Sequence, residues 1–464
     1  MEKKKISIYS GGWIVMNKKE RCLMAKVTLF SDERLGKIKP LQCVNNGPVK
    51  KRPTQCRGNQ PDYAEARIPF MRAHDSSFCA SYGGEHSVDV NMIFTNFDRD
   101  VDDPDAYDFT LTDEYFQNTL ETGTQIFYRL GSKIEHWKKK YNTKPPKDYF
   151  KWAQVCEHII RHYNYGWADG FHWNIIYWEI WNEADMTDLC EKPEDSPCWG
   201  GTNEEFYKFY RVVAMHLKSC FPELKIGGPA LACQINEWLD NFFASITVEP
   251  RVPLDFFSWH RYGTDVRADF IERSKIIREK LDKAGYTQAE SILDEYNYVR
   301  SWLADYDETI KAVGNEKGAS LVAALMCAAQ NSSIDMMMYY DARPGVWNGL
   351  FDMYTFARRK GYYSIRFFSK LYEYGTQLRT ESDDSDVYAL AAISPEGKKA
   401  LLVCYYADDD NAPSKILELD GCDDFSGRAL LVNPEYNGEE VNLKDKDGKF
   451  VFRIKRNSFF LLND

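Results

Sequence analysis

The sequence predicts an α/β fold: a (β/α)8 TIM barrel with an additional C-terminal β-sandwich domain, joined by an N-terminal β segment. Three observations predict it. Eight short apolar runs alternate with long helical patterns across about 300 residues, the size of one barrel. After about residue 375 the rhythm changes to closely spaced strand-like runs divided by Gly, Asp and Asn turns. The chain has 464 residues, enough for one barrel and one smaller domain.

Taken in order, the first 35 residues alternate loosely, end in Lys26-Val27-Thr28-Leu29-Phe30 and read as β-ribbon. Segment 1–38 is expected to pack on the sandwich, 39–372 to form the barrel and 373–464 the sandwich. Candidate barrel strands are Leu41–Val44, Ile68–Ala73, Gln125–Leu130, Ile175–Ile180, Leu224–Gly228, Leu254–Trp259, Ser291–Glu295 and Met336–Tyr340. Helical stripes lie between most of them. Tyr149–Tyr163 lines up Trp152, Val155, Cys156, Ile159 and Ile160; Asn203–Phe221 lines up Phe206, Tyr210, Val213 and Leu217. Asp265–Gly285 and Gly318–Asn331 continue the rhythm. An open doubly wound sheet is the rival arrangement, but no Gly-x-Gly-x-x-Gly turn follows the first strand. Sandwich strands are expected at Val387–Ile393, Ala400–Tyr405, Ala429–Val432 and Lys449–Ile454. The acidic pieces Glu381–Asp384 and Asp408–Asp410 read as solvated turns between them.

The balance of 59 basic and 70 acidic residues, net −11, argues against a nucleic-acid or anionic-membrane partner. No run of 18 apolar residues exists to span a membrane. Ile6–Met16 is broken by Ser10, Gly11 and Gly12, so it reads as two short strands, and a cytoplasmic protein is expected. The 12 cysteines are scattered, with Cys79, Cys156, Cys233 and Cys327 in buried-looking segments. Free thiols are expected, and without any Cys-x-x-Cys pair neither metal nor cofactor is expected. A homo-oligomer is compatible with the sequence. The 12 Trp, 29 Tyr and 27 Phe suit either a large core or sugar faces.

Tyr177-Trp178-Glu179-Ile180-Trp181-Asn182-Glu183 reads as a buried strand closed by an amide and a carboxylate. Ser291-Ile292-Leu293-Asp294-Glu295-Tyr296 places a second acid where strand seven runs out. Barrel active sites lie at the carboxyl ends of the strands. A single acid there is ordinarily a solvated loop residue. Two acids in such Trp- and Asn-bearing contexts match retaining glycoside hydrolysis, in which one protonates the leaving oxygen and the other attacks the anomeric carbon. Glu179 points into the barrel by alternation and is expected to support the site.

These segments resemble glycoside hydrolase family 39, in the clan of retaining barrel enzymes. Trp178–Glu183 looks like the acid/base motif and Leu293-Asp294-Glu295-Tyr296-Asn297 is similar to the nucleophile strand. Phe257–Tyr262, Phe70–His74 and Asn348–Phe351 with Gly361-Tyr362-Tyr363 resemble the motifs of strands six, two and eight. The likeness covers about residues 40–375. It implies that Glu183 is the general acid/base, that Glu295 is the nucleophile and that Asn182 contacts the sugar 2-hydroxyl. Arg72 is a candidate positive neighbour for Glu295, or an internal salt bridge, and Tyr262 a candidate donor to it. His74 and His260 are donors to sugar hydroxyls or satisfied core histidines. With Trp347, these make the candidate substrate-binding set: Asn182, His74, Arg72, His260, Tyr262 and Trp347. Trp137, Trp199 and Trp347 are candidate sugar platforms, Trp199 foremost for an outer subsite. Where such proteins often continue Asn-Glu with Pro, Ala184-Asp185 follows here, so the loop after strand four is expected to differ. The acidic stretch 75–108 is expected to wall the site as a solvated loop; its Asp98-x-Asp100-x-Asp102 spacing lacks the Gly and the closing Glu of a calcium loop.

The expected activity is therefore a β-xylosidase-like retaining glycosidase acting on an oligosaccharide or glycoside. Other sugars (α-L-arabinoside, galactoside, glucoside or iduronide) and a non-catalytic carbohydrate-binding barrel are the alternatives.

Overall fold

A computed structural model describes residues 5–7, 13–15, 23–51, 57–78, 84–233 and 235–463. All eight expected barrel strands are present: Cys43–Asn45, Phe70–Ala73, Gln125–Leu130, Tyr177–Ile180, Lys225–Leu231, Phe256–Gly263, Glu290–Tyr298 and Met336–Tyr339. They are called strands one to eight. Each pairs in parallel with the next, and strand eight closes on strand one through Met338–Cys43 and Tyr339–Val44. Strand three is buried from its second residue to its last, as expected where helices cover one face and the lumen the other.

Inside the barrel, residues near the amino ends of the strands make an apolar floor. Phe127, Tyr177, Phe256, Ile292 and Met338 cluster there, and the Phe127 ring lies 5.2 Å from both Tyr177 and Phe256. Side chains recur on one strand face every second residue. The next inward positions along strands four and seven are therefore Glu179 and Asp294, and the lumen turns from apolar to charged in one step.

Strand seven then breaks its own alternation. Leu293 pairs with Trp259 and Glu295 with His260, so the register slips by one residue at Asp294. Such a bulge re-aims the following side chain. Asp294 and Glu295, though consecutive, both reach Arg72.

The helices form for local reasons. Tyr149–Tyr165 starts where the Asp148 carboxylate accepts the Phe150 and Lys151 amides, and ends at Gly166, φ 75°. Asn203–Cys220 carries a capping box between Thr202 and Glu205 and buries the expected stripe of Phe206, Tyr210, Val213 and Leu217. The pattern expected as one helix over 265–285 divides into a π-helical turn, Val266–Ile271, and an α-helix, Glu272–Lys283.

The C-terminal strands form one nine-stranded mixed sheet, curled around its own core of Val27, Leu378, Leu401, Leu417, Phe452 and Phe460. The expected sandwich is thus a single sheet folded over. Met24–Lys37 lies third from one edge, antiparallel to Thr376–Ser382 and parallel to Lys415–Asp420. The outer face of the sheet, including Leu402, Cys404 and Leu461, joins the barrel core. Lys5–Ser7 and Trp13–Val15 pair antiparallel, while the rest of the ribbon expected before residue 23 lies outside the described residues. Cys79 also lies outside them. Cys156 and Cys327 are buried, but Cys233 is only half-buried, because it follows strand five into a surface loop. Among the described residues no helix is long and apolar enough to cross a membrane.

Candidate active site

Glu183 does not close strand four as expected; the strand ends at Ile180 and the acid sits three residues on. Trp181 and Glu183 take left-handed backbone conformations, φ 71° and 49°. Non-glycine residues rarely adopt these unless their surroundings impose them. Here the Trp181 amide donates to the Leu130 carbonyl at 2.8 Å and the Glu183 amide to the Ala230 carbonyl at 2.9 Å. The buried Trp181 ring is held edge-on by Trp199 and Phe209. The turn is fixed from strands three and five, and its carboxylate is directed over the barrel mouth. Glu295 lies inside strand seven, not beyond its end, and reaches the same place through the bulge.

The two carboxylates meet. One oxygen of each, with a nitrogen of His260, lie within 4.8 Å of one another. Glu183 Oε1 contacts His260 Nδ1 at 2.8 Å, and the Cys198 thiol donates to Glu183 Oε2 at 3.7 Å. Glu295 is more tightly held. Arg72 Nη1 donates to Oε1 at 2.7 Å, His74 Nε2 lies 3.2 Å from Oε1, and the Tyr262 hydroxyl donates to Oε2 at 2.8 Å.

Beneath them, Arg72 is completely buried. Its Nε reaches Glu179 at 2.7 Å and Asp294 at 3.1 Å, and its Nη2 donates to Asn182 Oδ1 at 2.8 Å. Nη1 also donates to Asn45 at 3.1 Å. With these donors turned to protein oxygens, Arg72 does not face the cleft. The expectation that it touches substrate is corrected: it underpins the residues that do.

Charge follows from this packing. Burial opposes the Arg72 cation, but Glu179, Asp294 and Glu295 outweigh it and raise its pKa. Burial raises the buried Glu179 carboxyl well above its ordinary range, with Arg72 opposing the rise and Asp294 adding to it. Burial also works against the Asp294 anion, yet Arg72 and His260 pull its pKa below the ordinary value. Burial raises Glu295, and His260 and Arg72 only partly offset it. His74 is held neutral by burial and by Arg72 and Arg129. For His260 burial disfavours the charge, but Glu295 and Asp294 prevail and hold it as imidazolium. Burial and Glu295 keep the Tyr262 phenol protonated, able to donate.

An open cleft of about 650 Å³ is lined among others by Asp75, Phe78, Trp137, Tyr340 and Trp347, and His74 links it to Glu295, lying 3.6 Å from Asp75 and 3.2 Å from the Glu295 carboxylate. Trp137 is 58% exposed there, and the half-buried Trp347 packs 5.3 Å from Trp302. Trp199 does not join this wall. It is fully buried against Phe206 and Phe209, and its indole donates to the Thr202 carbonyl, so the outer-subsite expectation for Trp199 is overturned.

Residues 50–328 match the family described as glycosyl hydrolases family 39, which is more than half of the chain. The chain belongs to this family. A β-xylosidase of Caldicellulosiruptor saccharolyticus is 29% identical over 269 residues, 53% of this chain and 48% of the relative. A β-xylosidase of Geobacillus stearothermophilus is 26% identical over 235 residues, 44% of each. The matches therefore span about half the length of these relatives. Among solved structures, a glucosidase from Croceicoccus marinus superposes with TM-score 0.76 at 21% identity, covering 95% of this chain and 98% of that one. A monomeric β-xylosidase from Caulobacter crescentus gives TM-score 0.66 at 15% identity, covering 94% and 99%. At these identities the two structures share this chain's fold and no more.

In this family 39 barrel, Glu183, Glu295, Asn182, His74, His260 and Tyr262 converge as the sequence suggested, and Trp347 stands at the rim. Sequence reasoning missed Asp294 and Cys198 as neighbours of the acids, and Trp302 as part of the rim. Trp302, seven positions after Glu295 in the loop of strand seven, was the one detectable in principle. Cys198 sits beside the Trp199 that drew attention instead.

Proposed function

We propose that this protein is a retaining glycoside hydrolase of β-xylosidase type, with Glu295 as nucleophile and Glu183 as general acid/base. One observation carries the reading: two carboxylates at one barrel mouth, after strand four and within strand seven, with oxygens within 4.8 Å of each other. Retaining glycosidases hold their carboxyl groups about 5–5.5 Å apart, whereas inverting ones leave room for a water between them. The β-xylosidases matched at 29% and 26% identity support the choice of a xyloside over other sugars.

The proposed mechanism has two displacements. Glu295 attacks the anomeric carbon while Glu183 gives its proton to the departing oxygen. A glycosyl ester on Glu295 results. Glu183 then removes a proton from water, the water oxygen attacks the same carbon, and the Glu295 carboxylate leaves. Each carbon–oxygen exchange inverts the centre, so the product keeps the substrate's configuration.

The surroundings suit each part. Arg72 and the Tyr262 hydroxyl favour an ionised, oriented Glu295, whose charge is spent in the first step. His260 Nδ1, 2.8 Å from Oε1, orients Glu183. Asn182, whose amide oxygen is taken by Arg72, has its NH2 group free to serve the sugar 2-hydroxyl. His74 borders the reacting sugar, and Trp347 offers its face to the next unit. An oligosaccharide or glycoside is the expected partner. The test is product release from a panel of aryl glycosides, with the product anomer followed by NMR. Release of β-xylose as the first-formed anomer from a β-xyloside is expected; α-xylose as first product, or turnover of every glycoside except the xyloside, would overturn the proposal.

A further inference from the structure

Asp408 and Asp410 read in the sequence as solvated acids of a surface turn, but they are bound to the barrel. Asp408 lies just past the strand Lys399–Tyr405 of the C-terminal sheet. Its carboxylate accepts the Tyr298 hydroxyl at 2.6 Å and Arg300 Nη2 at 3.1 Å, and its carbonyl accepts Lys317 Nζ at 2.7 Å. Lys317 also reaches Asp410 at 2.8 Å. Two residues before Asp408, the buried Tyr406 donates its hydroxyl to the Thr264 carbonyl at 2.7 Å. Thr264 follows the strand that carries His260 and Tyr262, and Tyr298 ends the strand that carries Glu295. One loop of the accessory sheet therefore grips the ends of strands six and seven.

The grip extends to the rim. Arg300 begins the loop that bears Trp302, and Trp302 is 54% exposed. Its ring lies 5.1 Å from Tyr262 and 5.3 Å from Trp347, nearly edge-on to the former. Within the loop, Ser301 Oγ accepts the Leu303 and Ala304 amides, and Thr309 Oγ1 accepts the Arg300 amide. These bonds shape the turn, and Arg300 ties it to the C-terminal sheet through Asp408 at 3.1 Å and, more loosely, Asp410 at 4.0 Å. An exposed aromatic beside the nucleophile's hydrogen-bond partner is placed to meet the sugar beyond the reacting one.

We propose that the 406–410 loop of the C-terminal sheet is a positioning element of the active-site cleft: Asp408 fixes the loop that holds Trp302, and Trp302 forms the outer wall that receives the leaving sugar unit. Its subsite role rests on the glycosidase reading; the clamp itself does not. The sheet would thus act on catalysis by holding the barrel rim. Asp408 touches no substrate and is a positioning residue.

The test uses the full chain with Asp408→Ala and the milder Tyr298→Phe. Ordering a rotamer-rich side chain at a binding surface costs about 0.5–1.5 kcal/mol, roughly twofold to tenfold in affinity. Asp408→Ala is therefore expected to raise KM for xylo-oligosaccharides by about twofold to tenfold while kcat on xylosyl fluoride, whose leaving group occupies no outer subsite, stays within about twofold. Combined with Trp302→Ala it should add nothing to the loss caused by Trp302→Ala alone. Equal losses on both substrates, or additive effects in the double variant, overturn the positioning role. Hydrogen exchange read by mass spectrometry, without substrate, tests the clamp by itself. Residues 299–305 should exchange faster in both variants while 177–183 keep the parental rate. Unchanged exchange at 299–305 overturns the clamp whether or not the protein cleaves xylosides, and a protein inert on all glycosides with faster exchange there rejects the glycosidase reading alone.

Discussion

Replacing Tyr262 with Phe removes one hydroxyl and leaves the ring that packs on Trp302 and Trp347. The lost contact is the 2.8 Å hydrogen bond to Glu295 Oε2, made to a carboxylate only 5% exposed. A hydrogen bond to a charged group contributes about 1.5–3 kcal/mol, roughly a tenfold to hundredfold effect on an equilibrium. Here that equilibrium is the ionisation of Glu295. Burial already pushes Glu295 upward, against His260 and Arg72, and the Tyr262 hydroxyl is one of the terms holding it down. Without it the carboxyl is harder to ionise. The acidic limb of kcat/KM against pH, which reports the free enzyme's base, should therefore move to higher pH. On that limb activity should fall by about tenfold or more, and by less on the plateau. Stability carries the same sign. Glu295 has a raised folded pKa, so its cost to the fold is absent below the ordinary carboxylate range and appears as pH rises through the folded value. The Phe variant should lose about 1.5–3 kcal/mol relative to the parent at neutral pH and less at pH 4. A pH–rate profile on an activated aryl xyloside, with urea unfolding at both pH values, reads both. An acidic limb that stays in place while the whole profile drops uniformly refutes the reasoning.

Three further outcomes follow, two from the same network and one from the packing of the tryptophans. Arg72→Met leaves Asp294 and Glu295 buried without their cation and should destabilise the fold by about 3–5 kcal/mol in urea unfolding; a loss below about 1 kcal/mol contradicts the buried network. His260 has a raised folded pKa, so its contribution to stability is complete below the ordinary histidine value near pH 6.5 and is lost as pH rises through its folded value. His260→Asn should accordingly be least stable relative to the parent at pH 6, with the gap closing as the solution is made alkaline, and a gap that widens with pH refutes the charge assignment. Trp199→Ala should cost about 3–5 kcal/mol as a core truncation, while Trp347→Ala costs little stability and raises KM; the reverse pattern would restore Trp199 as a sugar platform.

Much of this architecture is legible in the chain because barrels write a strong pattern. A strand buried on both faces is largely apolar, so Ile126–Tyr128 and Ile292–Leu293 stand out against the polar loops around them. Glu183 and Glu295 stand out because an acid next to such a run needs a reason. What is not legible is where hydrogen-bond register slips. Strict alternation sends Asp294 and Glu295 to opposite faces, and only the bulge brings both to Arg72. Nor can a tryptophan in a loop announce its burial. Trp199 and Trp302 both lie among small and polar neighbours, yet Trp199 falls on Phe206 and Phe209 while Trp302 stays at the rim. Asp408 looked solvated because its partners, Tyr298, Arg300 and Lys317, are far away in sequence.

The central claim is that Glu295 carries the sugar between the two steps while Glu183 faces it across the same bond. Incubation with a 2-deoxy-2-fluoro-β-xyloside bearing a good leaving group should trap the ester, and peptide mass spectrometry should find the fluoroxylosyl mass on Glu295. Label on any other carboxylate, or rapid turnover that leaves no covalent adduct, would contradict the account.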